Sequence, residues 1–294
     1  MEIQDLRTFV AVAEELHFGR AAERLHLAQP PVSRTIKSLE KELGVELFSR
    51  TTRSVTITVA GQALLGPARR ILNEVKRAAH DVYAAQDGSL GCVSIAFAGA
   101  STEVLVGRLS RAAKIKYPNL TLELASQNFA QPAINRLIDN EADISIGRWD
   151  YLPAGIRSRV LIKEQLVVAV PTTHPLASSE SAAMKEFATD YFVTLPPHPG
   201  SVLTDRLIRL SHAAGFDPLV AQVAPDTWTA LALVAAEVGV HLTISSVATN
   251  THNQEFSFLP IANPFEDVLL RMAWREDSHN PALATILELA EEAL

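Results

Sequence analysis

Four side chains in one short stretch have the types and spacing to read a nucleic acid. Gln29, Ser33, Arg34 and Lys37 are separated by four, one and three residues, so on an α-helix they crowd one face of its first half. Arg reaches guanine O6 and N7 with two N–H groups, Gln matches adenine, and Ser and Lys suit phosphates or base edges. The same stretch carries Val32, Ile36, Leu39 and Leu43 at steps of 4, 3 and 4, the buried seam of an amphipathic helix. An ordinary solvated helix face would use the same polar residues, so the neighbouring elements have to decide between the two.

Those neighbours are predicted as follows. Pro31 suits the first turn of a helix that ends at Leu43, with Gly44 just past it. Upstream, Ile3, Leu6, Phe9, Val10 and Ala13 mark one face of a helix ending near Leu16, and a second short helix runs from Gly19 to Leu25. Leu27 to Pro31 forms the turn between it and the polar-faced helix. Short helix, tight turn and polar-faced helix make the helix-turn-helix geometry, whose second helix enters the major groove. Residues 47–58 are rich in β-branched types and predict a small hairpin with Arg50 and Arg53 near its tip, a wing able to reach phosphates or a narrow minor groove.

Thr58 is a candidate N-cap for a long helix from about Val59 to Gln86. Leu65, Ala68, Leu72, Val75, Ala79 and Val82 step 3-4-3-4-3 along it, a heptad seam that asks for a second helix. Dimerisation through this segment is one reading; a helix lying on the core of its own domain is the other. Asp87 to Gly91 is a linker by composition.

From there strands and helices alternate. Strands are predicted at 93–97, 120–125, 143–146, 166–170, 191–195, 219–223, 240–244 and 268–274, with helices at about 102–117, 131–140, 202–214, 226–238 and 280–293. This rhythm predicts a mainly parallel sheet flanked by helices.

The chain has 294 residues, enough for two domains. Its net charge of −7 is unevenly spread: residues 1–65 carry 8 Lys/Arg and 8 Asp/Glu, and residues 92–294 carry 14 and 22. The two parts are therefore expected to meet different partners. One cysteine, Cys92, excludes a disulfide framework or a Cys-rich zinc site and reads as a small core residue. No apolar run and no basic leader is present, so a soluble cytoplasmic protein without membrane contact is expected. Nine scattered histidines, His174 and His198 among them, show no metal-ligand spacing. No HExxH, GxxxxGK[ST] or GxSxG is found, so neither catalysis nor a cofactor is expected.

The N-terminal residues also carry a resemblance. Leu6-Arg7-Thr8-Phe9-Val10-Ala11-Val12-Ala13-Glu14, Ala21-Ala22, Leu25 to Arg34, Leu39-Glu40, Leu43-Gly44, Leu47-Phe48, Arg50 and Thr58 to Gly61 resemble the winged helix-turn-helix of LysR-type transcriptional regulators. Ala142 to Gly147, His174 to Leu176 and Val234 to Val240 continue it. The resemblance implies an α/β protein with three parts. A winged helix-turn-helix spans 1–58, a dimerising linker helix and hinge 59–91, and a two-lobed part like periplasmic solute-binding proteins 92–294. Lobe one covers about 92–163 and 267–294, lobe two about 164–266, and the crossings near 162–166 and 266–269 form a hinge.

Carried onto this chain, the resemblance places Gln29, Pro30, Pro31, Ser33, Arg34 and Lys37 nearest double-stranded promoter DNA, with Arg50 and Arg53 on the wing. It implies an effector between the lobes, at Ala100, Ser101, Thr102, Phe129, Gly147, Arg148, Pro199, Gly200 and Ser201; by residue type alone Ser101, Thr102 and Ser201 also read as ordinary helix N-caps. It also implies self-association, often as a tetramer built from two dimers, and altered access of RNA polymerase. Several details resemble the subgroup controlling breakdown of aromatic compounds, whose effectors are often dicarboxylates or aromatic acids. The chain departs from that pattern at Ala100 and at Asn128-Phe129, where hydroxyl-bearing residues are expected. Arg148 has two readings: a partner for an acidic effector, or for Asp150 or another neighbouring carboxylate. The rival functions are a solute-binding protein and an enzyme with a fused helix-turn-helix. The first calls for a signal peptide in place of 90 residues of helices, and the second for a catalytic constellation.

Overall fold

The computed structural model describes residues 1–50, 54–86, 91–126, 128–197, 201–251, 253–262 and 267–294. Contacts divide the chain into two compact units, Met1–Ser89 with Ile138–Glu141, and Leu90–Leu137 with Ala142–Leu294.

The first unit opens with α1 (Ile3–Glu15), α2 (Phe18–Arg24) and α3 (Gln29–Leu43). Leu6, Phe9 and Val12 of α1 pack on Val32, Ile36 and Leu39 of α3. Leu43 at the end of that seam is 40% exposed, so the seam closes a turn early. α3 starts two residues before the predicted Pro31, because Pro30 and Pro31 both fit its first turn, where a missing N–H costs nothing. The chain reverses between α2 and α3 with His26 in the left-handed region, at φ +54°. Glu14 of α1 binds Arg24 at 2.6 Å and Arg69 at 2.7 Å. Burial pushes its carboxyl up, and the two arginines outweigh it, holding Glu14 below the usual carboxylate range.

The wing is an antiparallel pair, β1 (Phe48–Arg50) and β2 (Val55–Ile57), with Phe48 opposite Ile57. Phe48 carries the wing into the core, its ring 5.5 Å from Phe9 and 6.1 Å from Phe18. Thr58 caps α4 (Val59–Gln86) as its spacing predicts, its Oγ1 accepting from Gly61 N at 3.0 Å. A Cβ at Gly61 would stand 2.3 Å from the Leu47 carbonyl, so only glycine lets α4 start this close to the wing.

The seam of α4 divides. Ala68 is fully buried and Leu65 and Leu72 lean on the same core, so the first half lies on its own domain. Val75 and Val82 are exposed, at 37% and 68%.

The second unit holds β3 (Gly91–Phe97), α5 (Glu103–Lys116), β4 (Leu120–Ala125), α6 (Ala130–Ile138), β5 (Ile144–Arg148) and β6 (Ile156–Glu164). Next come β7 (Leu166–Pro171), a 3-10 turn at Met184–Phe187, β8 (Tyr191–Thr194), α7 (Val202–Ala213), β9 (Leu219–Val223) and α8 (Thr227–Ala235). It ends with β10 (His241–Ile244), α9 (Ser245–Asn250), β11 (Phe256–Pro260), β12 (Val268–Arg275) and α10 (Pro281–Ala293).

Two α/β lobes result. One sheet is ordered β4-β3-β5-β12-β6, with Val93, Ile95 and Met272 packed against Leu109 of α5 and Ile286 of α10. β3 runs parallel to β4 and β5, whereas β12 runs antiparallel to β5 and β6. The sheet is thus mixed rather than mainly parallel, because the last strand returns from the other lobe to enter it. In that other lobe β7 lies between β10 and β11, antiparallel to both, and β8 pairs in parallel with β9 across α7. β7 is buried along its whole length, matching its unbroken apolar sequence. β6, β11, α9 and the 3-10 turn are absent from the sequence-based expectation. β6 reads Ile-Arg-Ser-Arg-Val-Leu-Ile-Lys-Glu, a half-exposed strand whose alternation is broken by the three apolar residues in a row.

Candidate functional site

α3 presents the face its sequence predicts. Gln29, Pro30, Arg34 and Lys37 are exposed, and Pro31 and Ser33 are half-buried. Among the described residues, none makes a hydrogen bond or ion pair with the side chains of Arg34 and Lys37. Arg50 differs. Its guanidinium donates to Glu40 Oε2 at 2.8 Å and lies 4.7 Å over the Phe18 ring. Glu40 Oε1 also accepts from the backbone of Leu47 at 3.0 Å and Phe48 at 3.2 Å. One carboxylate on α3 therefore pins the wing, and Arg50 is part of that fastening. Arg53 lies outside the described residues.

The cleft forms where strands end and helices begin. Ser101, Phe129, Arg148 and Ser201 line one cavity of about 30 Å³. Ala100, Thr102 and Gly147 do not line it, and Pro199 and Gly200, with His198, lie outside the described residues. Thr102 instead ties its own loop, donating from Oγ1 to the Gly99 carbonyl at 2.9 Å. Gly147 makes room for an indole: a Cβ there would meet the Trp149 ring at 2.7 Å, while Trp149 Nε1 donates to the Ala130 carbonyl at 2.7 Å. Asn128 spends its amide on the Ala125 and Ser126 carbonyls, at 2.9 and 2.8 Å.

Arg148 takes a neighbouring carboxylate, and it is Glu164 rather than Asp150. Nε and Nη2 donate to the two oxygens of Glu164 at 2.6 and 2.8 Å, with Arg148 7% and Glu164 0% exposed. Nη1 donates to Ser101 Oγ at 2.9 Å. This bidentate pair leaves the cavity wall without net charge from Arg148. Asp150 binds α7, taking Arg206 at 2.6 Å and Arg209 at 3.2 Å.

The starts of four helices border the same cavity. Ser101 precedes α5, Phe129 and Ala130 open α6, Ser201 and Val202 open α7, and Thr227 opens α8. Ser201 caps α7 by accepting from Leu203 N at 3.2 Å, and Asp226 caps α8 from Thr229 N at 2.8 Å. Thr227 and Thr243 also line the cavity and were missed from the sequence. A signal exists for Thr227, since Asp226-Thr227 is an N-cap pair; Thr243 sits inside a strand whose pattern marks it only as interior. Two residues before it, His241 is buried, donating Nδ1–H to the Val193 carbonyl at 2.8 Å. Burial pushes its pKa down to about 4.

Comparison with known proteins accounts for both parts. The family described as "Bacterial regulatory helix-turn-helix protein, lysR family" matches residues 3–62, and "LysR substrate binding domain" matches 86–294. The chain is 35% identical over 290 residues to the HTH-type transcriptional regulator ShiR of Corynebacterium glutamicum, covering 99% of this chain and 98% of that one. The crystal structure of CbnR, a LysR family transcriptional regulator, matches with TM-score 0.74 and 29% identity over 100% of this chain and 99% of its own. Full-length CbnR complexed with its target DNA matches with TM-score 0.72 and 29% identity over the whole of both chains. With one profile on its helix-turn-helix, another on its two lobes and relatives aligned from end to end, the chain belongs to the LysR family of DNA-binding transcriptional regulators, which are not enzymes.

Proposed function

We propose that this regulator binds an interrupted inverted repeat in promoter DNA and responds to a small carboxylate held between its two lobes. The observation that carries the effector half is the convergence of four helix starts on one cavity. Helix N-termini offer unpaired N–H groups and the positive end of the dipole, which together favour an anion. A cavity of about 30 Å³ has room for a water or a very small group, so a ligand enters by parting the lobes. An aromatic acid requires a wider opening than a short aliphatic one.

On the DNA side Gln29, Ser33, Arg34 and Lys37 read bases and phosphates, Pro30 and Pro31 set the entry of α3, and Arg50 and Arg53 serve the wing. Two such helices are brought to two half-sites by pairing of two chains through the exposed half of α4, and pairs of dimers give a tetramer. The lobes, about 92–163 with 267–294 and 164–266, turn about the crossings near 162–166 and 266–269; Glu266 lies outside the described residues. An effector that binds one arrangement more tightly shifts the spacing of the winged helices, and with it the bend of the DNA and access of RNA polymerase. Selection of genomic fragments by the purified full-length chain, followed by footprinting, tests the DNA half. Enrichment of a short interrupted inverted repeat upstream of a few genes supports it, and binding without sequence preference contradicts it.

A further inference from the structure

Thr243 stands on β10 with its side chain fully buried, and among the described residues its hydroxyl has no hydrogen-bond partner although it lines the effector cavity. A hydroxyl taken from water and left unpaired costs stability, and folded proteins pair such groups almost without exception. Leu195, Ile244 and Val247 line the cavity with it, as do Ser201 and Thr227, yet none of the described residues pairs with the Thr243 hydroxyl. Arg148, the one arginine among the described residues lining the cavity, is already matched by Glu164. Among the described residues the site therefore carries no excess fixed positive charge beyond the helix starts, which suits one carboxylate and not a second.

We infer that Thr243 is a specificity-determining residue that hydrogen-bonds an uncharged oxygen of the effector, making the ligand a short hydroxy- or oxo-carboxylic acid. The inference rests on the carboxylate reading of the cleft and narrows it. The carboxylate sits at the helix starts, and the second oxygen reaches β10, where the Thr243 hydroxyl donates to an oxo group or pairs with a hydroxyl in either sense. A plain carboxylic acid of the same length leaves Thr243 unpaired and loses that contact.

The test is calorimetric titration of the full-length protein with lactate, pyruvate and propionate, three acids of equal carbon number. The wild type is expected to bind lactate or pyruvate about 3- to 10-fold more tightly than propionate, the worth of one hydrogen bond. Thr243→Val, which keeps the shape and removes the hydroxyl, should erase that preference while leaving propionate affinity unchanged; Thr243→Ser should restore it. Thr243→Val should also melt at the same temperature as the wild type or above it, because it removes an unpaired buried group. Equal discrimination by wild type and Thr243→Val, no discrimination by the wild type, or a lower melting temperature of the ligand-free variant each overturns the role of Thr243 alone. Failure of all three acids to bind the wild type overturns the carboxylate reading, and this inference with it.

Discussion

Arg34 and Arg50 lie on adjoining elements and do different work. Arg34 projects from α3 with no protein partner among the described residues, whereas Arg50 is spent on Glu40 and Phe18. Arg34→Ala is expected to weaken binding to the specific site by about 1–3 kcal/mol and to relax preference at one base pair, measured by competition with single-base variants. Equal losses on specific and random DNA would make it a phosphate contact. A second residue sets a pH dependence. His241 is buried as the neutral ring, with its pKa pushed down to about 4, so between that value and 6.5 the unfolded chain holds the extra proton. Stability is then present above pH 6.5 and falls as the pH drops toward 4, by about 3 kcal/mol from this residue. Urea unfolding across that range should show a shallower loss in His241→Asn, whose amide can still donate to Val193. Parallel curves for the two proteins would mean that His241 does not titrate in this window. Neither the burial of His241 nor the partner of Arg148 could be read from sequence. Glu164 lies 16 residues from Arg148 on a strand with no clean alternation, and only the pairing of β5 and β6 with β12 brings them together.

Among the elements, α3 and the wing act as one piece because Glu40 accepts from Leu47, Phe48 and Arg50 together. Glu40→Ala leaves two backbone donors unpaired and should cost about 2–3 kcal/mol of stability in urea unfolding, with weaker DNA binding as a consequence. Glu40→Gln, which keeps a carbonyl acceptor, should lose less; an unchanged Glu40→Ala would mean that the Phe48 packing alone holds the wing. The divided seam of α4 moves the test of self-association along the helix. Leu72 leans on its own domain's core, so a charge there disturbs folding, while Val82 is 68% exposed. Val82→Glu should dissociate the protein in light scattering without lowering its melting temperature, and a fully associated variant would place the interface elsewhere. α3 was legible because seam, prolines and Gly44 all agree, as the hairpin was from its β-branched run. β11 and α9 are short and lack that agreement, and the antiparallel entry of β12 depends on residues far apart in sequence.

The whole molecule joins a charge-balanced N-terminal part to one carrying eight more acidic than basic residues. This segregation fits one end meeting DNA and the other kept from it. The second part holds a cavity bordered by four helix starts, an arginine matched by Glu164 and a threonine hydroxyl with no partner among the described residues. Coupling between the parts requires an acid that binds one arrangement of the lobes better than another. The measurement that meets it most directly is hydroxyl-radical footprinting of the full-length protein on its selected repeat, with lactate, pyruvate or propionate titrated to saturation. The protected positions are expected to shift, or a bend-sensitive cut to change, along the same curve as acid binding. A footprint identical at every acid concentration, while calorimetry shows the cleft filled, would contradict it.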